Sequence, residues 1–147
     1  MAATDPDSSP EKDFLGTGWT FPPTFDRSHA TVIMSSDVAN IKQSLWVLFS
    51  TSQGERLMLA TYGTLLRMKV FDALTETMAN DIKSLIAKAI LDWEPRIDVI
   101  SIDIQLLSPL SGELAIKIDF IVRQTNSRSN MVYPFYLTQA TLAPPSL

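Results

Sequence analysis

The hydrophobic period of this chain changes once, at Glu94-Pro95-Arg96, from helical spacing to simple alternation. Before that point Met78, Ile82, Leu85, Ala89 and Trp93 share one helical face, while Asp81, Lys83, Ser84 and Lys88 lie elsewhere. Pro95 ends the helix, because its ring crowds the preceding residue and pushes Glu94 out of the helical region. Beyond it, Ile100, Ile102, Ile104 and Leu106 alternate with Ser101, Asp103 and Gln105, the pattern of a strand with one buried face. Leu114, Ile116, Ile118, Phe120 and Val122 repeat that pattern, and the intervening SPLSG predicts a hairpin turn. A polar loop over 124–130 then leads into MVYPFYLT (131–138), where Tyr133, Phe135 and Leu137 alternate. Pro134 has no N–H for a ladder, which puts this third strand at a sheet edge and leaves the first two central. Helices followed by strands predict an α+β fold, with about three helices and then a small antiparallel sheet.

The first half supplies the other helices. Val38, Ile41, Leu45 and Leu48 line one face of a helix over 37–51, with Ser36 as N-cap and Gly54 as stop. Leu65, Leu66, Met68, Val70 and Phe71 predict a short helix after Tyr62-Gly63. Upstream, residues 31–34 suit a short strand. Phe14, Trp19, Phe21 and Phe25, spaced by Gly16, Gly18 and Pro22-Pro23, suit an irregular arm. Residues 1–12 combine Pro, Ser and Asp and read as a flexible tail. At 147 residues and 46% apolar composition, residues 13–147 suffice for a single domain with one core.

Composition removes several function classes. Twelve basic against 16 acidic residues give a net charge of −4, with no basic stretch to track phosphates, so nucleic-acid binding is not expected. Without cysteine there is no disulfide, thiolate metal site or thiol nucleophile, as suits folding in a reducing compartment. The polar start lacks a signal-peptide pattern, and no stretch reaches the roughly 20 apolar residues of a membrane span. An enzyme would have to be built from Glu55, Asp92, Glu94 and Asp98, as in paired-carboxylate glycosidases, but the adjacent Arg56 and Arg96 favour ion pairs instead. His29 has no second His or Cys beside it and reads as a surface residue. Gly16-Thr17-Gly18 lacks the third glycine and lysine of a phosphate loop. No cofactor or metal is expected.

Two charged segments stand where a chain turns, Gly54-Glu55-Arg56 and Glu94-Pro95-Arg96. In the second, Pro95 restricts the backbone so that two opposite charges project with little loss of freedom; a solvated helix end is the plain alternative. The order GTGWTFPPTFD, a helix, Thr51-x-x-Gly54-Glu55-Arg56, Tyr62-Gly63, Val70-Phe71 and Trp93-Glu94-Pro95-Arg96-Ile97 resembles the phage baseplate wedge family historically labelled tail lysozyme, which includes TssE of type VI secretion. The resemblance runs over about 14–107. It departs where the family often has an Arg-Pro pair and this chain has Leu59-Ala60-Thr61.

The resemblance implies a structural subunit, not an enzyme, present in six copies per baseplate of a phage tail, a type VI system or a free phage-tail-like particle. Such a subunit assembles in the bacterial cytoplasm and does not insert in a membrane. It binds the helical bundle of the larger baseplate wedge subunits, with Glu94, Pro95 and Arg96 near that bundle and Gly54, Glu55, Arg56, Tyr62 and Gly63 as further partner-binding residues. Central hub or spike proteins are further candidate partners. The family also looks like the interlocking domain of the sheath protein, which implies that the sheet accepts a sheath strand, with Tyr133, Phe135 and Leu137 on the sheath-facing strand. Two other readings stand beside it: a tail-associated muramidase using Glu94 or Glu55, and a soluble adaptor that binds a peptide at its sheet edge.

Overall fold

A computed structural model describes residues 15–69 and 73–137. The expected tail over 1–12, the Val70-Phe71 pair and the end of the last strand at Thr138 lie outside the described residues. The chain sorts into two compact units whose boundary falls between Gln43 and Ser44, inside the first helix.

In the first unit the aromatic arm is more regular than its glycines and prolines suggest. Strands β1 (Thr17–Trp19) and β4 (Met34–Ser36) pair antiparallel, as do β2 (Phe25–Asp26) and β3 (Thr31–Val32). Asn40 Nδ2 donates to the Gly16 carbonyl at 2.9 Å, and Ser35 Oγ to Gln43 Oε1 at 2.8 Å, tying β1 and β4 to the start of the helix. The turn after β2 holds His29 Nδ1 2.5 Å from Asp26 Oδ2, on the surface. Hydrogen bonds from Ser28 and then His29 hold the Asp26 carboxyl at about 2, well below its ordinary value.

Helix α1 (Asp37–Ser50) begins directly after β4, and its buried residues Ile41, Leu45 and Leu48 are those its spacing predicts, joined by Phe49. In the second unit, Phe49 and Trp46 meet the Tyr133 ring edge-on, with centroids 5.4 and 4.9 Å away. Of the expected middle helix the described residues hold a 3-10 turn, Leu66–Lys69, so two α-helices stand among them and not three. Within that turn Leu66 alone is buried. Helix α2 (Glu76–Trp93) is capped by Thr75, whose side chain accepts from the Met78 N–H.

The buried face of α2 is Met78, Ile82, Ile86, Ala89 and Ile90. Leu85 and Trp93, expected on that face, sit at its border, because the apolar stripe is broad enough to be centred one residue later than spacing alone suggests. The sheet follows in the order β5-β6-β7, all antiparallel: β5 (Ile97–Ser108), β6 (Glu113–Val122) and β7 (Ser127–Tyr136). Strand β6 is central, and Leu114, Ile116, Ile118, Phe120 and Val122 are all fully buried. Strand β5, expected to be central, lies at an edge. Its register shifts between Val99 and Ser101, which turns Ile100 outward (44% exposed) and brings Ile97 inward. A second shift near Leu107 leaves Leu106 equally exposed at the far end of the sheet. The polar loop shrinks to a turn, because Ser127–Asn130 already pair with Val122–Asp119.

The edge-facing backbone groups follow from two bonds. Leu137 N–H donates to the Gly112 carbonyl and Arg123 N–H to the Arg96 carbonyl, each at 2.9 Å. Antiparallel ladders alternate, so the N–H groups of Phe135, Tyr133 and Met131 point to β6, and those of Tyr136 and Val132 point away from the sheet. Pro134, opposite Ala115, sits in that outward set and has no N–H to offer. On β5 the same alternation points Ser101, Asp103 and Gln105 at β6 and leaves the N–H groups of Ile102 and Ile104 on the outer edge.

Candidate partner interface

The loop between α1 and the 3-10 turn is fixed by its backbone. Thr64 N–H donates to the Thr51 carbonyl at 2.8 Å, Gln53 N–H to the Thr64 carbonyl at 3.2 Å and Gly54 N–H to the Ala60 carbonyl at 2.8 Å. Gly63 makes this closure possible. Its φ is +110°, and a Cβ there would stand 2.4 Å from the Thr51 carbonyl oxygen. The Thr51…Tyr62-Gly63 spacing seen in the sequence is thus a packing requirement: the two strands of the loop approach closer than any side chain allows. Gly54, at φ +90° with nothing near its Cβ position, serves only the turn.

Glu55 folds back on its own loop. Its carboxylate accepts from the Ser52 N–H at 2.9 Å and pairs with Arg67 at 3.0 Å. Arg56 points the other way and lies over the Tyr62 ring, 5.0 Å from its centroid. Tyr62 in turn meets Trp93 edge-on at 5.3 Å. Val47, Thr51, Glu55, Arg56 and Tyr62 line an open pocket of about 380 Å³.

Helix α2 ends at Glu94, whose N–H still donates to the Ile90 carbonyl. Its side chain is buried (3% exposed), and both carboxylate oxygens accept from Arg96, at 2.5 Å from Nε and 2.7 Å from Nη2. Hydrogen bonding to Glu94 raises the Arg96 guanidinium above its ordinary value, so the guanidinium stays protonated at any physiological pH. Burial raises the Tyr62 phenol, while the charge of Arg56 lowers it and that of Glu94 raises it. Tyr62 is therefore the residue at which the two charged segments meet, though 38 positions separate Arg56 from Glu94 in the chain.

The structure thus gathers Gly54, Glu55, Arg56, Tyr62 and Gly63 with Glu94, Pro95 and Arg96. Sequence reasoning missed Arg67 and assigned Trp93 to the helix core, because an ion pair 12 residues apart and a ring at a helix border have no periodic signature. Tyr133, Phe135 and Leu137 are buried in the core of the second unit, so the side chains β7 turns outward are Val132, Pro134 and Tyr136. The carboxylates weighed for catalysis are not gathered: Asp92 pairs with Lys88 and Asp98 with Arg123, both on the surface.

Residues 35–127 match the family model described as baseplate wedge protein gp25. Among solved structures, a protein of Geobacter sulfurreducens named as a tail lysozyme is 33% identical, with a TM-score of 0.68 over 76% of this chain and 100% of its own. A chain of the anti-feeding prophage baseplate, six-fold symmetrised, is 26% identical with a TM-score of 0.65 over 89% of this chain and 93% of its own. A chain of the postcontracted pyocin R2 baseplate, 20% identical with a TM-score of 0.50 over 78% and 97%, shares the fold. No curated protein matches.

Proposed function

The chain belongs to the gp25 baseplate wedge protein family, and on that premise we propose that it is a structural wedge subunit of a contractile injection machine, binding the larger wedge subunits and starting the sheath by strand addition. The observation that carries this reading is the convergence of Gly54-Glu55-Arg56, Tyr62-Gly63 and Trp93-Glu94-Pro95-Arg96 into one cluster within the matched span. Six copies per baseplate and assembly in the bacterial cytoplasm belong to the same proposal. No described helix is long and apolar enough to cross a membrane.

A muramidase is the poorer alternative. A glycosidase needs one carboxyl to protonate a leaving group and a second facing it across a cleft. Both oxygens of Glu94 are occupied by Arg96, and those of Glu55 by the Ser52 N–H and Arg67.

For sheath initiation the outer edge of β5 is the better template. It keeps the donors of Ile102 and Ile104, whereas β7 has a gap at Pro134. The test is particle assembly in a strain lacking this protein. Loss of sheathed particles with accumulation of unattached sheath and tube, restored by the wild-type protein, supports the proposal; normal sheathed particles would sink it.

A further inference from the structure

The charges of the cluster divide unequally. Glu55 is matched by Arg67 and Glu94 by Arg96, so each of these pairs is internally neutral and serves the fold. Arg56 is left over. Among the described residues it makes no ion pair, and its guanidinium lies over the face of Tyr62. A cation–π contact attracts the guanidinium without using its hydrogen-bond donors, so Arg56 rests on Tyr62 with its fork unspent. Trp93 meets the same tyrosine edge-on, and the Gly63 closure holds the loop that carries Arg56. Beside it, Leu57 and Met58 are almost fully exposed.

Resting on the wedge reading above, we propose that Arg56 is the charge this cluster presents to its neighbour, and that the Val47, Thr51 and Tyr62 pocket receives an Asp or Glu side chain of a larger wedge subunit. Charge selects the occupant. The one carboxylate lining the pocket, Glu55, is already held by the Ser52 N–H and Arg67, which leaves the site one net positive charge. At about 380 Å³ the pocket admits a side chain and not a folded segment. Leu57 and Met58 then exclude water from the rim, which strengthens a guanidinium–carboxylate pair. Glu94, Pro95 and Arg96 follow Trp93 directly in the chain and, as an internally matched pair, leave Arg56 as the charge on offer.

Capture of the co-expressed larger wedge subunits by this protein is the test. Arg56→Glu is expected to reduce capture at least tenfold with an unchanged melting temperature, since the residue is exposed. Arg56→Lys should lose severalfold, because lysine keeps the charge but not the fork. Capture by Arg56→Gln should be weaker than wild type and less sensitive to salt. An Asp or Glu to Arg change in the wedge subunits should then restore binding to Arg56→Glu. If wild type captures the wedge subunits and Arg56→Glu captures them equally well, the assignment of Arg56 falls while the wedge reading stands. If wild type captures none, the wedge reading itself falls.

Discussion

Gly63 and Gly54 look equivalent in the sequence, and the structure separates them. Gly63 combines a left-handed φ with a carbonyl oxygen 2.4 Å from where a Cβ would stand, whereas Gly54 has the φ and open space. Gly63→Ala should therefore lower stability by about 2 to 4 kcal/mol, and Gly54→Ala by about 1, as read by urea denaturation. Equal losses would mean that the loop relaxes away from Thr51. Similarly, Glu94 and Arg96 were legible as a fixed pair of opposite charges, but not as charges aimed at each other, because spacing does not report burial. With Glu94 buried and held by two bonds, Arg96→Ala leaves a carboxylate without its counter-charge and should cost the isolated protein about 3 kcal/mol. Glu94→Gln keeps an acceptor for the guanidinium and should cost about 1. If Arg96→Ala melts like wild type, the pair is dispensable to the fold and its role lies wholly in contacts with a partner.

Among the elements, both helices and all three long strands were legible because each has a clear apolar period. What escaped was phase. On α2 the sequence favours Leu85 as readily as Ile86, and only the sheet beneath the helix decides between them; Ile86 is fully buried and Leu85 half-buried. On β5 the alternation through Ile100 is unbroken in the sequence, yet a register shift ejects that residue. A bulge adds one residue without altering the pattern around it, so no sequence period reveals it. Two substitutions measure this. Ile86→Ala should lower stability by about 2 to 4 kcal/mol through lost burial and a cavity, while Ile100→Thr should change it by less than about 1. Thermal melts that rank the two the other way would show that β5 pairs without the shift. Of the expected middle helix the described residues hold a 3-10 turn, in which Leu66 is buried while Met68 is exposed.

For the whole molecule, the decisive feature is which sheet edge remains open, and a residue pattern gives only part of the answer. Pro134 was legible as an edge residue; that β5 is the opposite edge follows only from the strand order. The two edges are not equivalent templates. Along β7 the outward donors run Arg128, Asn130 and Val132, then a gap at Pro134 before Tyr136, so an added strand would lose one bond of its ladder. Along β5 the outward donors of Ile102 and Ile104 are intact. A proline at an outward position removes one donor while sparing the ladder to β6, which makes matched edge variants possible. Ile104→Pro and Val132→Pro should each leave a folded subunit, with a loss of about 1 to 2 kcal/mol, larger for Ile104 because its side chain is half-buried. Both should enter baseplates, since neither touches the Arg56–Tyr62 cluster. On electron micrographs, Ile104→Pro baseplates should stand bare while Val132→Pro baseplates carry full-length sheath. The opposite outcome would move the template to β7, and full sheaths on both would show that the sheath starts without strand addition at either edge. The contrast between the variants matters more than either alone, because a general loss of assembly would affect both, whereas a missing donor affects only the edge that the sheath strand uses.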